Sequence, residues 1–182
     1  MADKPKRATG RIITPAGVLS FPALAKPVKN DAGQEKYEAQ IVFAPGTDIT
    51  EIEEIVQEAL DTLVPDDIDK DELRLPIKQS KAKAKKLGAP YVEGGTYVTA
   101  KSNYQPGMVD GDLDAIIAVD DELYPGAVVK LQVHAYFYNA KGNKGIGIGL
   151  DNVQKVKDGD KLASGGPDAA EAFEKVTADD LM

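Results

Sequence analysis

The chain has 182 residues, 42% of them hydrophobic, the size of one ordinary domain with some length to spare. It has no cysteine, no long apolar run, and charged first residues (Met1 to Arg7) with no apolar stretch behind them. Disulfides, thiolate sites, a membrane span and a secretory signal are therefore not expected, and a reducing compartment fits. The net charge of −8 does not exclude a polyanionic partner. Residues 48–73 balance to −10 and residues 164–182 to −4, which leaves +6 for the remainder, and fields act over only about 8 Å at physiological salt.

In chain order, residues 1–8 read as a flexible N-terminus. Thr9 to Ala25 reads as a bent strand or strand pair around Pro15-Ala16-Gly17, and Lys26 to Gly33 as a loop. Lys36 to Phe43 is a strand with Tyr37, Ala39, Ile41 and Phe43 on one face. Asp48 to Leu63 is an amphipathic helix. Asp48 or Thr50 caps it, Ile52, Ile55, Val56, Ala59, Leu60 and Leu63 form its apolar stripe, and Pro65 ends it. Its carboxylates read as a solvated face. Residues 66–95 are mostly loop, with a short helix fitting Lys78 to Leu87. Strand character returns at Thr96 to Lys101, Tyr104 to Gly111 is rich in turn residues, and Ile116 to Val119 reads as a short strand. The strongest β signal is Ala127 to Asn139, followed by Gly145 to Val156. Residues 158–182, rich in Gly, Ser, Ala and Asp, read as a flexible acidic tail, unable to bury enough surface to offset the entropy of ordering. Five or six strands, one amphipathic helix and a disordered tail describe a mainly β, OB-fold-like barrel over residues 9–157.

The last two strands form a hairpin. With Gly142 and Asn143 as the central turn residues, Phe137 faces Ile148 and Ala135 faces Leu150 on the core side. On the other side stand Lys130, Gln132, His134, Tyr136 and Tyr138, with Tyr136 opposite Gly149 and Tyr138 opposite Gly147. Tyrosine over glycine has two readings: a stabilising cover for the strand, or a bare ring on which a flat ligand can lie. Lys130, Lys141 and Lys144 flank the rings, and Lys101 joins them from the strand that carries Tyr97. Rings interleaved with cations are what an unpaired nucleic-acid strand requires, since each base offers a π-face and the backbone needs neutralising. Duplex DNA would call for a recognition helix, and the clearest helix here is acidic. Lys78, Lys81, Lys83, Lys85 and Lys86, in a stretch without acids, read either as a solvated loop or as phosphate contacts. His134, the only histidine, cannot make a zinc site alone and reads as a surface residue available to ligand. The sequence shows no Ser/His/Asp order with supporting glycine turns, no phosphate-binding loop and no metal cluster, so neither enzyme activity nor a cofactor or metal is expected. The alternative to a binding role is a structural β-domain of a capsid or tail component, against which the lysine-flanked tyrosine face speaks.

Several stretches together resemble phage-encoded single-stranded DNA-binding proteins of the T7 type. They are Tyr124-Pro125-Gly126 with the β run to Tyr138, GNKGIGIGLDNVQKVKDGDKL (142–162), YVTAKSNYQPGMVD (97–110) and VLSFPALAKP (18–27). The resemblance spans nearly the whole chain in order. It implies an OB fold, sequence-tolerant binding of single-stranded DNA, and a role in phage DNA replication, recombination and repair in the cytoplasm of the infected bacterium. Tyr104 joins the candidate DNA contacts through the third of these stretches. The resemblance further implies that an acidic tail contacts phage or host replication and recombination proteins and competes with DNA; it leaves room for a homodimer. Tails of that family end in an aromatic residue. This chain ends Asp179-Asp180-Leu181-Met182, with Phe173 nine residues earlier, so those five residues are the candidate partner contacts.

Overall fold

A computed structural model describes residues 7–140, 142–162 and 175–181. Eight strands form one sheet: β1 (Ile12–Ile13), β2 (Gly17–Lys29), β3 (Glu35–Phe43), β4 (Lys78–Gln79), β5 (Thr96–Ser102), β6 (Gly107–Val109), β7 (Val128–Ala140) and β8 (Asn143–Lys157). Three helices interrupt them: α1 (Thr50–Thr62), α2 (Lys81–Leu87) and the single turn α3 (Val119–Glu122). The pairings β7–β2, β2–β3, β3–β5, β5–β8 and β8–β7 run round a ring of five strands, with the β5–β8 pair parallel. That is the expected OB-like barrel. The two pairings that complete it are short: Gly17 and Val18 on β7, and Ala100 and Lys101 on β8.

The bent first strand arises at Pro15, which has no N–H to give to a ladder. On one side of it Ile12 and Ile13 pair with Val133 and Gln132; on the other Gly17 and Val18 pair with Val129 and Val128. Thr14 bridges the break by accepting the Leu131 N–H on its hydroxyl at 3.0 Å. Gly17 is required here because a Cβ would stand 2.6 Å from Ile41. Beyond it β2 continues to Lys29, through what reads in sequence as a loop. Pro22 and Pro27 suggest a strand end, yet both fall within the segments where the β2–β3 register slips, Ser20 to Ala23 and Ala23 to Val28, so their missing N–H groups leave no gap in a regular ladder. The turn lies at Asn30 to Gln34, where the Asn30 side chain accepts the N–H groups of Ala32 and Gln34.

Two further expectations change. Ile116 to Val119 is not a strand. Only Ala115 bridges Val109, Ile117 is 93% exposed, and the chain turns into α3 at Val119, where Asp120, Asp121 and Glu122 suit a helix start. The hairpin register also differs by two residues from the sequence reading: Tyr138 faces Gly145, Tyr136 faces Gly147, Phe137 faces Ile146 and Ala135 faces Ile148. The central turn positions are therefore 141 and 142, and Gly142 supplies the positive φ of 86° that such a turn needs. Because the slip is even, every side chain keeps its face.

Inside the ring lie Leu19, Ile41, Phe43, Val98, Leu131, Val133, Ile146 and Ile148, all nearly or fully buried. α1 joins this core through Ile52, Ile55, Val56 and Ala59, and its first turn is anchored by Asp48, whose carboxylate accepts from Thr50; those hydrogen bonds hold its pKa below the usual carboxylate range. No described helix is long and apolar enough to cross a membrane. Truncating Ile52, which is 1% exposed, should cost about 2–5 kcal/mol. Urea unfolding of Ile52→Ala followed by circular dichroism should show that loss as a lower midpoint with an unchanged slope.

Candidate nucleic-acid interface

β8 alternates glycine with large aliphatic residues. Ile146, Ile148 and Leu150 enter the core, and Gly145, Gly147 and Gly149 line the outer side. Over each glycine lies a ring from β7. A Cβ on Gly145 would stand 2.7 Å from the Tyr138 hydroxyl, one on Gly147 2.5 Å from the Tyr136 ring, and one on Gly149 2.2 Å from His134 Nε2. The rings thus lie down across the strand in a row, with centroids 6.2 Å apart from His134 to Tyr136 and 6.4 Å from Tyr136 to Tyr138. Glycine here does not simply leave the rings bare; it is what lets them recline.

Next to Tyr136 and Tyr138 runs a groove of about 740 Å³, floored by the outer faces of β5 and β8. Tyr97, Thr99 and Lys101 reach it from β5, Gln40 and Lys36 from β3, and Lys83 from α2. Arg74 and Lys78 form another side, because Arg74 pairs through its backbone with Lys144 and Ile146, and Lys78 pairs with Tyr97. Among the described lining residues the cations are Lys36, Arg74, Lys78, Lys83 and Lys101, and the only acid is Asp31. No residue of the acidic helix α1 lines it.

Of the residues picked out from sequence, Tyr136, Tyr138, Tyr97, Lys101, Lys78 and Lys83 come together in this groove. Lys101 also stands 3.9 Å from Glu38. Lys83 does more than offer a charge: its Nζ is 4.5 Å from the Tyr97 ring centroid and 5.3 Å from those of Tyr91 and Phe21. Burial in this cage lowers its pKa from the usual lysine value. Lys81, Lys85 and Lys86 are exposed on α2, with Lys81 3.4 Å from Glu93. Lys144 is the second residue of β8, opposite Asn139. His134 continues the row of rings but is held by Asp151 at 2.8 Å, which also takes Arg11 at 3.2 Å. Lys130 lies farther down β7 opposite Gln154, and Tyr104 is 81% exposed on the β5–β6 connection; neither lines the groove. Asp179, Asp180 and Leu181 lie in a 3₁₀ turn, Ala178–Leu181. Lys141, Phe173 and Met182 fall outside the described residues.

Sequence reading missed Lys36, Arg74, Gln40 and Tyr91. Lys36 and Gln40 were accessible from period-two alternation on β3. Arg74 opens the acid-free basic stretch but reaches the groove only through a long-range parallel bridge to Gly145. Tyr91 is 3% exposed; its hydroxyl meets Ser20 Oγ at 2.9 Å and Gln40 Oε1, while the Gln40 amide donates to Thr99 Oγ1 at 3.0 Å. Among the described residues no three His, Asp or Glu side chains are grouped to hold a metal ion.

The family described as Enterobacter phage Enc34, ssDNA-binding protein, matches residues 10–182. The chain belongs to that family. Its fold is similar to the single-stranded DNA-binding protein from bacteriophage Enc34, solved in complex with ssDNA, with a TM-score of 0.69 and 22% identity over 89% of this chain and 97% of that one. It is also similar to gp2.5, a single-stranded DNA-binding protein encoded by bacteriophage T7, with a TM-score of 0.60 and 16% identity over 92% of this chain and 99% of that one. Putative protein p50 of Acyrthosiphon pisum secondary endosymbiont phage 1 is 31% identical over 84 residues, 46% of this chain. The match spans only 45% of that relative's length.

Burial raises the pKa of the Tyr136 phenol, with a contribution from Tyr138, and burial likewise raises that of Tyr91. In the unfolded chain both ionise near pH 10. Above that pH the unfolded state holds fewer protons than the folded one, so the stability these phenols give, intact at lower pH, falls as pH rises through their folded values. Spectrophotometric titration of the native protein should show two of the seven tyrosines ionising late, and Tyr136→Phe should flatten the alkaline decline in stability measured by urea unfolding.

Proposed function

We propose that this protein binds single-stranded DNA, without sequence preference, in the groove beside the tyrosine row. Bases stack on Tyr136, Tyr138 and Tyr97, and the phosphates are met by Lys36, Arg74, Lys78 and Lys101. The observation that supports this most is the set of ring faces laid over glycine backbone beside a groove lined by five cations and one acid. A base can lie on such a ring for about 1–3 kcal/mol, while the cations exchange small counterions for backbone phosphates. Duplex binding is disfavoured because α1, the longest helix, presents Glu51, Glu53, Glu54 and Glu58 to solvent, and α2 has only seven residues. The Enc34 relative, solved with ssDNA bound, supports the same ligand.

In the infected bacterial cell such binding protects single strands during phage DNA replication, recombination and repair. The acidic segment containing Phe173, Asp179, Asp180, Leu181 and Met182 acts as a tethered anion that competes with DNA for the groove and contacts replication proteins.

Titration of fluorescent oligo-dT should give an affinity that falls as salt rises, with a log–log slope of about −0.7 per neutralised phosphate. Tyr136→Ala and Tyr138→Ala should each weaken binding by about 5- to 150-fold; salt-independent binding, or none, would overturn the reading. Removing residues 164–182 should tighten binding at low salt and flatten its salt dependence. An unchanged isotherm for the shortened chain would remove the competition from the account.

A further inference from the structure

Phe21 has no place in the groove or in the core. In β2 its predecessor Leu19 is fully buried, and simple alternation would send Phe21 inward as well. Instead the register slips after Ser20, Phe21 takes a φ of +45°, and its ring stands 55% exposed. A bulky residue at positive φ is a strained backbone, and such strain persists where the surrounding structure holds it and a surface role uses it. The held geometry points the ring toward the same ammonium that caps Tyr97: Lys83 Nζ is 5.3 Å from the Phe21 centroid and 4.5 Å from that of Tyr97.

We propose that Phe21 is a further base-stacking platform, so that a strand seated on Tyr97 continues past Lys83 onto Phe21. The inference rests on the single-stranded DNA reading above and lengthens its track beyond the groove, which Phe21 does not line. Ring, ammonium, ring repeats the base, phosphate, base order of the ligand. The shared ammonium keeps the two ring centroids within about 10 Å, a span that a strand rising about 3.4 Å per stacked nucleotide crosses in roughly three steps. A phosphate arriving between the rings also restores to Lys83 part of the solvation that burial removes, the burial that lowers its pKa.

The test is a length series of oligo-dT titrated against the full chain and its Phe21 variants, at two salt concentrations. Phe21→Leu keeps apolar volume at the position but has no π-face; Phe21→Trp keeps the face; Phe21→Gly removes both ring and strain. Short oligomers should bind wild type and Phe21→Leu alike. Once the strand is long enough to pass Tyr97, Phe21→Leu should bind about 5- to 150-fold more weakly. Phe21→Trp should retain wild-type affinity, and the salt slope should be the same in all, since no phosphate contact is lost. Phe21→Gly should show the same length-dependent loss with no fall in melting temperature. Equal affinity of Phe21→Leu and wild type at every length overturns the inference, as does a loss at all lengths that Phe21→Trp shares along with a lower melting temperature. If wild type binds oligo-dT and Tyr136→Ala weakens it while Phe21→Leu does not, only the extension to Phe21 fails. If wild type binds no oligo-dT, the functional reading fails and takes this one with it.

Discussion

β7 and β8 face each other along almost their whole length, and this single ladder has to satisfy two demands at once. Toward the barrel axis Ile146, Ile148 and Leu150 interlock with Val133 and Ala135 to make much of the core. Away from it Gly145, Gly147 and Gly149 leave space that the Tyr138, Tyr136 and His134 rings fill by lying flat. Strand glycine is unfavourable by roughly 0.5–1 kcal/mol per residue against alanine, and aromatic cover offsets part of that. The remaining edges of the same two strands accept the rest of the fold: β1 and β2 dock on β7, and β5 and β6 on β8. Core, barrel closure and candidate binding face therefore all rest on one hairpin whose glycines cannot grow a side chain.

Charge follows from the same architecture. α1 is tied to the core by its apolar stripe, which leaves its carboxylates outward and away from the groove lining. α2 is held near the groove by Lys83, whose ammonium is enclosed by three rings and whose pKa burial has lowered. Not every lysine on the surface is equal to these. Lys155 is engaged by Glu122 and Asp158 at 2.8 and 2.7 Å, hydrogen bonds that raise its pKa, and Arg11 by Asp151. The local field in the groove is thus set by a few basic side chains, and an overall charge of −8 says little about it across distances beyond about 8 Å.

Much of this was legible in the sequence because it is written in short periods. Alternation along 127–156 gave both hairpin faces, and the 3.6-residue stripe gave α1. The register was not legible, since Lys141-Gly142 and Gly142-Asn143 are both plausible turn centres and only the pairing of Ala140 with Asn143 decides between them. Pro22 and Pro27 hid the second half of β2, because a bulge that tolerates proline has no signature of its own. The site's remaining members depend on contacts between residues far apart in the chain. Arg74 reaches the groove beside Gly145, and Tyr91 reaches across to Ser20 and Gln40. No local pattern announces either.

Those last contacts bear on what the groove could distinguish. Reading a base by its edge needs donors and acceptors turned toward the ligand and otherwise unoccupied. In this groove the Gln40 amide oxygen is taken by the Tyr91 hydroxyl and approached by Lys83 at 3.4 Å, and its nitrogen is committed to Thr99. The Gln40, Tyr91 and Thr99 side chains are thus spent on one another, and the contact of Gln40 with Lys83 ties α2 to the barrel. Beside them Tyr97, Tyr136 and Tyr138 offer ring surface and Lys36, Lys78, Lys83 and Lys101 offer ammonium groups, which suit any base and any phosphate. On the single-stranded DNA reading proposed above, the hydrogen bonds that fasten α2 to the barrel through Lys83 also withdraw the Gln40 amide from any base that enters the groove.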